Sequence, residues 1–178
     1  MGSWRGIKPE TYEKFDAFTD ADPAFISRIN FPIRDITGKI VAYNGRHTGS
    51  GVPKYMITPA GAQMPLFPAT VVPKNGCVIL VEGIFDMLNL HDKGLDNTIC
   101  CFGTKNINEE KLSVLAISGV SQIDIFFDGD AAGQTAAEKI REMCESIGLS
   151  SRNILLKDTD PGALTEPQIL KLKRKLYA

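Results

Sequence analysis

Long apolar runs are missing from this sequence. Nothing approaches the roughly 18 consecutive apolar residues of a membrane-spanning helix, and no apolar segment of the secretory-signal kind stands near the start. Cysteine and histidine are scarce. Cys77, Cys100, Cys101 and Cys144 make no C-x-x-C pair, and only His47 and His91 are available as further ligands, so no zinc site is expected. Unpaired, buried thiols in a reducing cytoplasm are the expectation instead. Neither charge sign dominates, with 20 Lys and Arg against 21 Asp and Glu. Internal repeats and low-complexity tracts are absent too. A chain of 178 residues that is 43% hydrophobic can bury one or two cores, which excludes a disordered protein.

The balanced total hides an asymmetry. Residues 1–75 hold nine Lys/Arg against six Asp/Glu, and residues 76–178 hold eleven against fifteen. A mildly basic front and an acidic back divide polyanion binding from metal binding, although so small an imbalance decides nothing alone.

From Gly76 onward, strand and helix patterns alternate. CVILV (77–81) is short, continuous and β-branched, as a strand buried on both faces must be. IFDMLNLHDK reads as a helix closed by Gly94, and NTICCF as the next strand. A helix over roughly 108–118 has Asn108 as its N-cap. IDIFF is the third strand, 131–147 a helix with an apolar stripe, and RNILLK the fourth strand. Thr165 and Gln168 form a capping box for a last helix, with Pro167 in its tolerant first turn. This alternation predicts a mostly parallel α/β sheet. The front half reads differently: a helical stretch around PETYEKF, a hairpin over 29–46 turning at Thr37-Gly38, and a strand in PKYMIT. Residues 1–75 are therefore a small α+β subdomain and 76–178 an α/β domain, joined through the Pro- and Gly-bearing segment 67–76.

In an open parallel sheet, ligands bind at the carboxyl ends of the strands. Glu82 stands at the first such end, Asp128 and Asp130 at the third, and Asp158 and Asp160 after the fourth. Carboxylates far apart in sequence thus gather on one sheet edge, where they repel one another unless a hard cation joins them. Mg²⁺ suits a few carboxylates plus water and phosphate oxygens, and such a cluster points to metal-assisted phosphoryl chemistry. Gly83, Gly103 and Gly129 let backbone approach a ligand, and Thr104 offers a hydroxyl and an amide at the same edge. Asp86 reads equally as a first-turn acid favoured by the helix dipole, and Asp158 as a solvated loop carboxylate.

Four motifs in order, VILVEGIFD (78–86), CFGT (101–104), FFDGDAAG (126–133) and DTDPGAL (158–164), resemble the TOPRIM domain, and more closely that of bacterial-type, DnaG-like primases. FPIRDITGKIVAYNGR followed by PKYMITP is similar to the primase-core segment that directly precedes that domain, so the resemblance covers roughly residues 5–165. It implies that Glu82, Asp128 and Asp160 contact Mg²⁺ or Mn²⁺ and that Asp130 completes the D-x-D. Glu82, Asp128 and Asp130 would be the catalytic acids, with Asp86 and Asp158 as possible further ligands. The resemblance also implies that Arg46 and Lys54 fall in a basic segment along the path of template and nucleotide, with Arg34 a lesser member and Thr104 at the nucleotide edge.

The implied activity is a nucleotidyltransferase that makes short RNA primers from NTPs on single-stranded DNA. The alternatives are a TOPRIM nuclease using the same acids with water, and a catalytically idle module that grips single strands or a replication partner. One departure concerns the last motif, where the family's D-P-D is Asp160-Pro161-Gly162 and one acid is missing. No Cys/His zinc ribbon precedes the core. The expectation is a separate zinc module or replicative helicase as partner, as in a phage or mobile element with split replication proteins.

Overall fold

The computed structural model describes residues 3–155 and 159–177. It divides into two compact units, Met1–Ala69 and Thr70–Ala178, with the division inside the Pro- and Gly-bearing segment.

The first unit is built on a three-stranded antiparallel sheet in the order β1-β2-β3, from Arg28–Arg34, Ile40–His47 and Tyr55–Thr58. A short helix α1 (Pro9–Lys14), with proline in its first turn, precedes it. The β1–β2 turn needs a left-handed residue, and Gly38 supplies it at φ 84°. Asp35 closes the turn by accepting from the amides of Thr37 (2.8 Å) and Lys39 (3.1 Å). Register pairs Ile29 with Arg46 and Phe31 with Asn44, so Ile29, Phe31, Ile33, Ala42, Asn44 and Arg46 share one face. Ile29, Phe31, Ile33 and Ala42 are all at most 3% exposed, which marks that face as the unit's core. Phe18, Phe25 and Tyr43 form a cluster of edge-to-face rings with centroids 5.1–5.7 Å apart.

The second unit is a four-stranded, all-parallel sheet in the order β5-β4-β6-β7. Its strands are Cys77–Val81 (β4), Thr98–Cys100 (β5), Gln122–Ile125 (β6) and Ser150–Asn153 (β7). Helices α2 (Ile84–Asp92), α3 (Glu109–Ile117), α4 (Ala131–Ser146) and α5 (Glu166–Leu176) follow or connect them. Every residue of β4 is buried, as its unbroken apolar run requires of a central strand. Removing one such side chain, Leu80 for example, costs about 2–5 kcal/mol through lost transfer energy and the cavity left behind. The helix ends match the capping residues: Asn108 Oδ1 accepts from Lys111 N at 3.0 Å, and Gln168 Oε1 accepts from Thr165 N at 2.8 Å. Gly94 (φ 83°) carries α2 into the left-handed turn that ends it.

Two expectations are corrected. The fourth strand is Ser150–Asn153, not the apolar run 152–157, of which 156 and 157 lie outside the described residues. This edge strand is polar and largely exposed, held not by apolar burial but by an ion pair across the register. Fully buried Asp124 on β6 takes both arms of Arg152 on β7, at 2.9 and 2.7 Å, and a third bond from Gln122 at 2.8 Å. The third strand also stops at Ile125, although Phe126 and Phe127 continue into the core at 1% and 2% exposure.

Candidate active site

Parallel strands direct their carboxyl ends the same way, and the acids follow those ends. Glu82 directly follows β4, Asp128 and Asp130 follow β6, and Asp160 follows β7. Asp158 lies outside the described residues. Asp86 comes from the first turn of α2, where its Oδ2 accepts from Gly83 N at 3.0 Å. That bond satisfies an otherwise orphan amide of the helix start.

These groups repel one another electrostatically. Burial raises the Glu82 carboxyl above its ordinary range, with repulsion from Asp128 and Asp130 adding to it. Asp128 is raised by burial and then by Asp160 and Asp130. Asp86 is pushed up to about 7, first by burial and then by Asp128, Asp160 and Glu82, against the lowering effect of the Gly83 amide. Among the described residues none of these five acids is in a salt bridge. A carboxylate group that repels itself and has no ion-pair partner among the described residues has the donor chemistry of a divalent-cation site.

The site is open rather than a ready cage. Among the described residues no three His, Cys, Asp or Glu side chains stand close enough to enclose a metal ion. Asp130 is partly committed, since its Oδ1 caps α4 by accepting from Gly133 N at 2.7 Å. These residues fit an ion that keeps several waters, as Mg²⁺ does. Backbone approach is tight where the glycines stand: a Cβ at Gly133 would come within 2.4 Å of the Asp128 carbonyl oxygen.

Beside Glu82, the loop after β5 forms a cleft of about 470 Å³ lined by Glu82, Phe102, Gly103, Thr104, Lys105 and Asn106. Thr104 is thus at the strand edge where the sequence places it.

In the first unit, the three basic candidates differ. Arg34 clips its own hairpin through Gly38 O (3.1 Å) and pairs with Asp16 at 3.5 Å, both largely exposed. Lys54 is exposed. Arg46 is only 8% exposed, and its Nη1 donates to Lys54 O at 3.5 Å. Its guanidinium stands 4.9 Å from the Tyr55 ring centroid, with Lys54 Nζ at 6.0 Å from the same ring. Tyr55 therefore organises both cations. Sequence reasoning missed it, although register pairs Tyr55 with Arg46. Arg28 was missed as well: it is buried and holds the loop before Lys54 by donating to Pro53 O (2.8 Å) and Gly45 O (3.3 Å).

Comparison with known proteins identifies both units. Residues 79–164 match the Toprim-like family, and residues 5–67 match the family described as DNA primase catalytic core, N-terminal domain. The chain therefore carries a Toprim-like domain. Within that class it resembles the catalytic core of bacterial-type, DnaG-like DNA primases. A DNA primase of Synechocystis is 32% identical over 139 residues, which is 72% of this chain and 21% of the relative. The fold superposes on about half of a solved chain that holds the zinc-binding and RNA polymerase domains of the Aquifex aeolicus primase, with a TM-score of 0.80 and 23% identity over 96% of this chain and 52% of that one. A DnaG primase catalytic domain bound to ssDNA superposes with a TM-score of 0.76 and 20% identity, covering 97% of this chain and 68% of that one. This chain spans about a fifth to a quarter of the length of the curated relatives it matches.

Proposed function

We propose that this chain is a primase-type nucleotidyltransferase core that makes short RNA primers on single-stranded DNA. The observation that carries this reading is the set of mutually repelling carboxylates at the strand ends of a TOPRIM domain, in a chain whose front matches the primase core. The TOPRIM primase family is in general divalent-metal dependent. Mg²⁺ or Mn²⁺ would be held by Glu82, Asp128 and Asp160, with the free oxygen of Asp130 and the recessed Asp86 nearby, and Asp158 as a further candidate. When bound, the ion offsets charge on the reacting phosphate and aligns the attack.

In the reaction a 3′-hydroxyl oxygen bonds to the α-phosphorus of an NTP. The α–β bridging P–O bond breaks, pyrophosphate leaves with the electron pair, and the hydroxyl proton passes to solvent. No side chain needs to act as a covalent nucleophile. Lys54, with Arg46 and Tyr55 fixing its surroundings, would contact the phosphate backbone of the template. A separate zinc-binding module or replicative helicase as partner, and a cytoplasmic place of action, go with this reading. Among the described residues no helix is long and apolar enough to cross a membrane.

The test is incubation with single-stranded DNA, labelled NTPs and Mg²⁺ or Mn²⁺, with products resolved by size. Short RNA products that vanish in Glu82→Gln support the reading. Cleavage of the template without incorporation moves the assignment to a TOPRIM nuclease. Strand binding with neither activity makes the chain an idle binding module.

A further inference from the structure

The loop between β5 and α3 is held more firmly than a plain connection needs. Phe102 sits at φ 56° in the left-handed region, a strained conformation for a non-glycine residue. Cys101 N donates to Val81 O and Gly103 N to Glu82 O, both at 3.1 Å, which ties the loop to the end of β4. Asn106 Nδ2 donates to Cys101 O at 2.8 Å, while Lys111 Nζ clamps Asn106 at its carbonyl (2.6 Å) and its Oδ1 (2.7 Å). Lys111 is thus occupied in building the loop.

Lys105 is not. It lines the cleft, is exposed, and among the described residues makes no hydrogen bond or ion pair. The cleft wall therefore carries one acid, Glu82, and one cation, Lys105, on a backbone fixed in a strained shape. A free anion would meet Glu82, and a bare cation would meet Lys105. A metal–polyphosphate complex presents its positive end to the first and its negative end to the second.

We propose that Lys105 contacts the β- and γ-phosphates of an incoming nucleoside triphosphate in this cleft, with the Thr104 hydroxyl beside it. This rests on the primase reading and adds a residue to it. In the transfer step described above, the electron pair of the broken P–O bond passes to pyrophosphate, and Lys105 faces the charge that builds there. Its ammonium is a compact point charge on a flexible stem, suited to phosphates that shift as the bond breaks.

The experiment is equilibrium binding of ATP and AMP to the full chain with Ca²⁺ in place of Mg²⁺, followed by primer extension with Mg²⁺. The wild type is expected to prefer ATP, and Lys105→Ala to lose about tenfold in ATP affinity, the size of one charge-assisted contact, while AMP binding stays the same. Lys105→Arg should restore most of the loss. In extension, Lys105→Ala should raise the NTP KM more than it lowers kcat, with an unchanged Tm. A wild type that extends primers beside a Lys105→Ala protein with the same ATP-to-AMP ratio overturns the inference alone. A wild type that extends nothing and binds ATP and AMP alike overturns the proposed function itself. A lowered Tm in Lys105→Ala would mark the residue as structural and overturn its role here.

Discussion

Gly162 lies so close to Asp86 that a Cβ at position 162 would come within 2.5 Å of Asp86 Oδ1 and 3.1 Å of Asp160 Oδ1. The backbone of Gly162 is not left-handed, so space and not conformation requires the glycine. Asp86 cannot swing away freely, because Gly83 N holds its other oxygen at 3.0 Å. Gly162→Ala should therefore destabilise the metal-free protein by about 1–3 kcal/mol, as overpacking does. Asp86→Ala combined with Gly162→Ala should recover most of that loss, a coupling that a double-mutant cycle of thermal melts measures. Simple additivity would show that the two residues do not compete for this space.

The pH dependence has a definite sign. An acid whose folded pKa lies above its unfolded value binds its proton more tightly in the folded state. With Asp86 moved from an ordinary 3.8 to about 7, stability of the metal-free protein should fall as pH rises between those values. The loss should be complete above them. Asp86→Asn should flatten the slope over that window by up to a few kcal/mol in total. Glu82 and Asp128 are raised in the same direction and contribute with the same sign. Melts from pH 4 to 8 in chelator check it, and saturating Mn²⁺ should shrink the difference between pH 5 and pH 7.

Lys54 and Tyr55 can be separated by salt. If Lys54 meets a phosphate, Lys54→Ala should weaken single-strand binding for all sequences alike and reduce the slope of log affinity against log salt by about 0.7. Tyr55→Leu keeps the charges and removes the ring that Arg46 and Lys54 flank. It should lower affinity while leaving that slope nearly unchanged. Titrations at several salt concentrations decide it, and an unaltered slope in Lys54→Ala would put the basic contact elsewhere.

The edge strand β7 depends on one pair. Arg152→Ala strands the fully buried Asp124, and leaving a buried charge unpaired costs about 3–5 kcal/mol. Arg141→Ala breaks two ion pairs, to Glu138 and Glu145, on an exposed helix face, and should cost about 1 kcal/mol or less. Denaturant unfolding of the two variants should differ accordingly.

Much of the second unit is legible in the sequence because central parallel strands are unbroken apolar runs and helix ends carry their own capping residues. β4, the caps at Asn108 and Thr165, and the acids at the strand ends were readable for that reason. The edge strand was not, because a polar strand held by Asp124 and Arg152 carries no apolar signal, and the apolar Ile154 and Leu155 beside it drew the reading away. Arg46 was expected among open basic residues. Its burial follows from register, which sets it on the same face as Ile29 and Phe31, and register is a relation between strands that neither strand states alone. Lys105 escaped notice because a single lysine in a loop looks like any other until the cleft around it is known.

Asn89 shows how far the support of the acidic edge extends. Its buried side chain donates to Pro161 O at 2.8 Å and to Leu164 O at 3.0 Å, across more than seventy residues of sequence. One amide thus rivets the helix that carries Asp86 to the segment that carries Gly162. Any minimal version of this domain trimmed before residue 161 would keep Glu82, Asp128 and Asp130 in sequence yet leave that amide without either acceptor. The shortest excisable catalytic edge is set by a neutral, non-catalytic side chain.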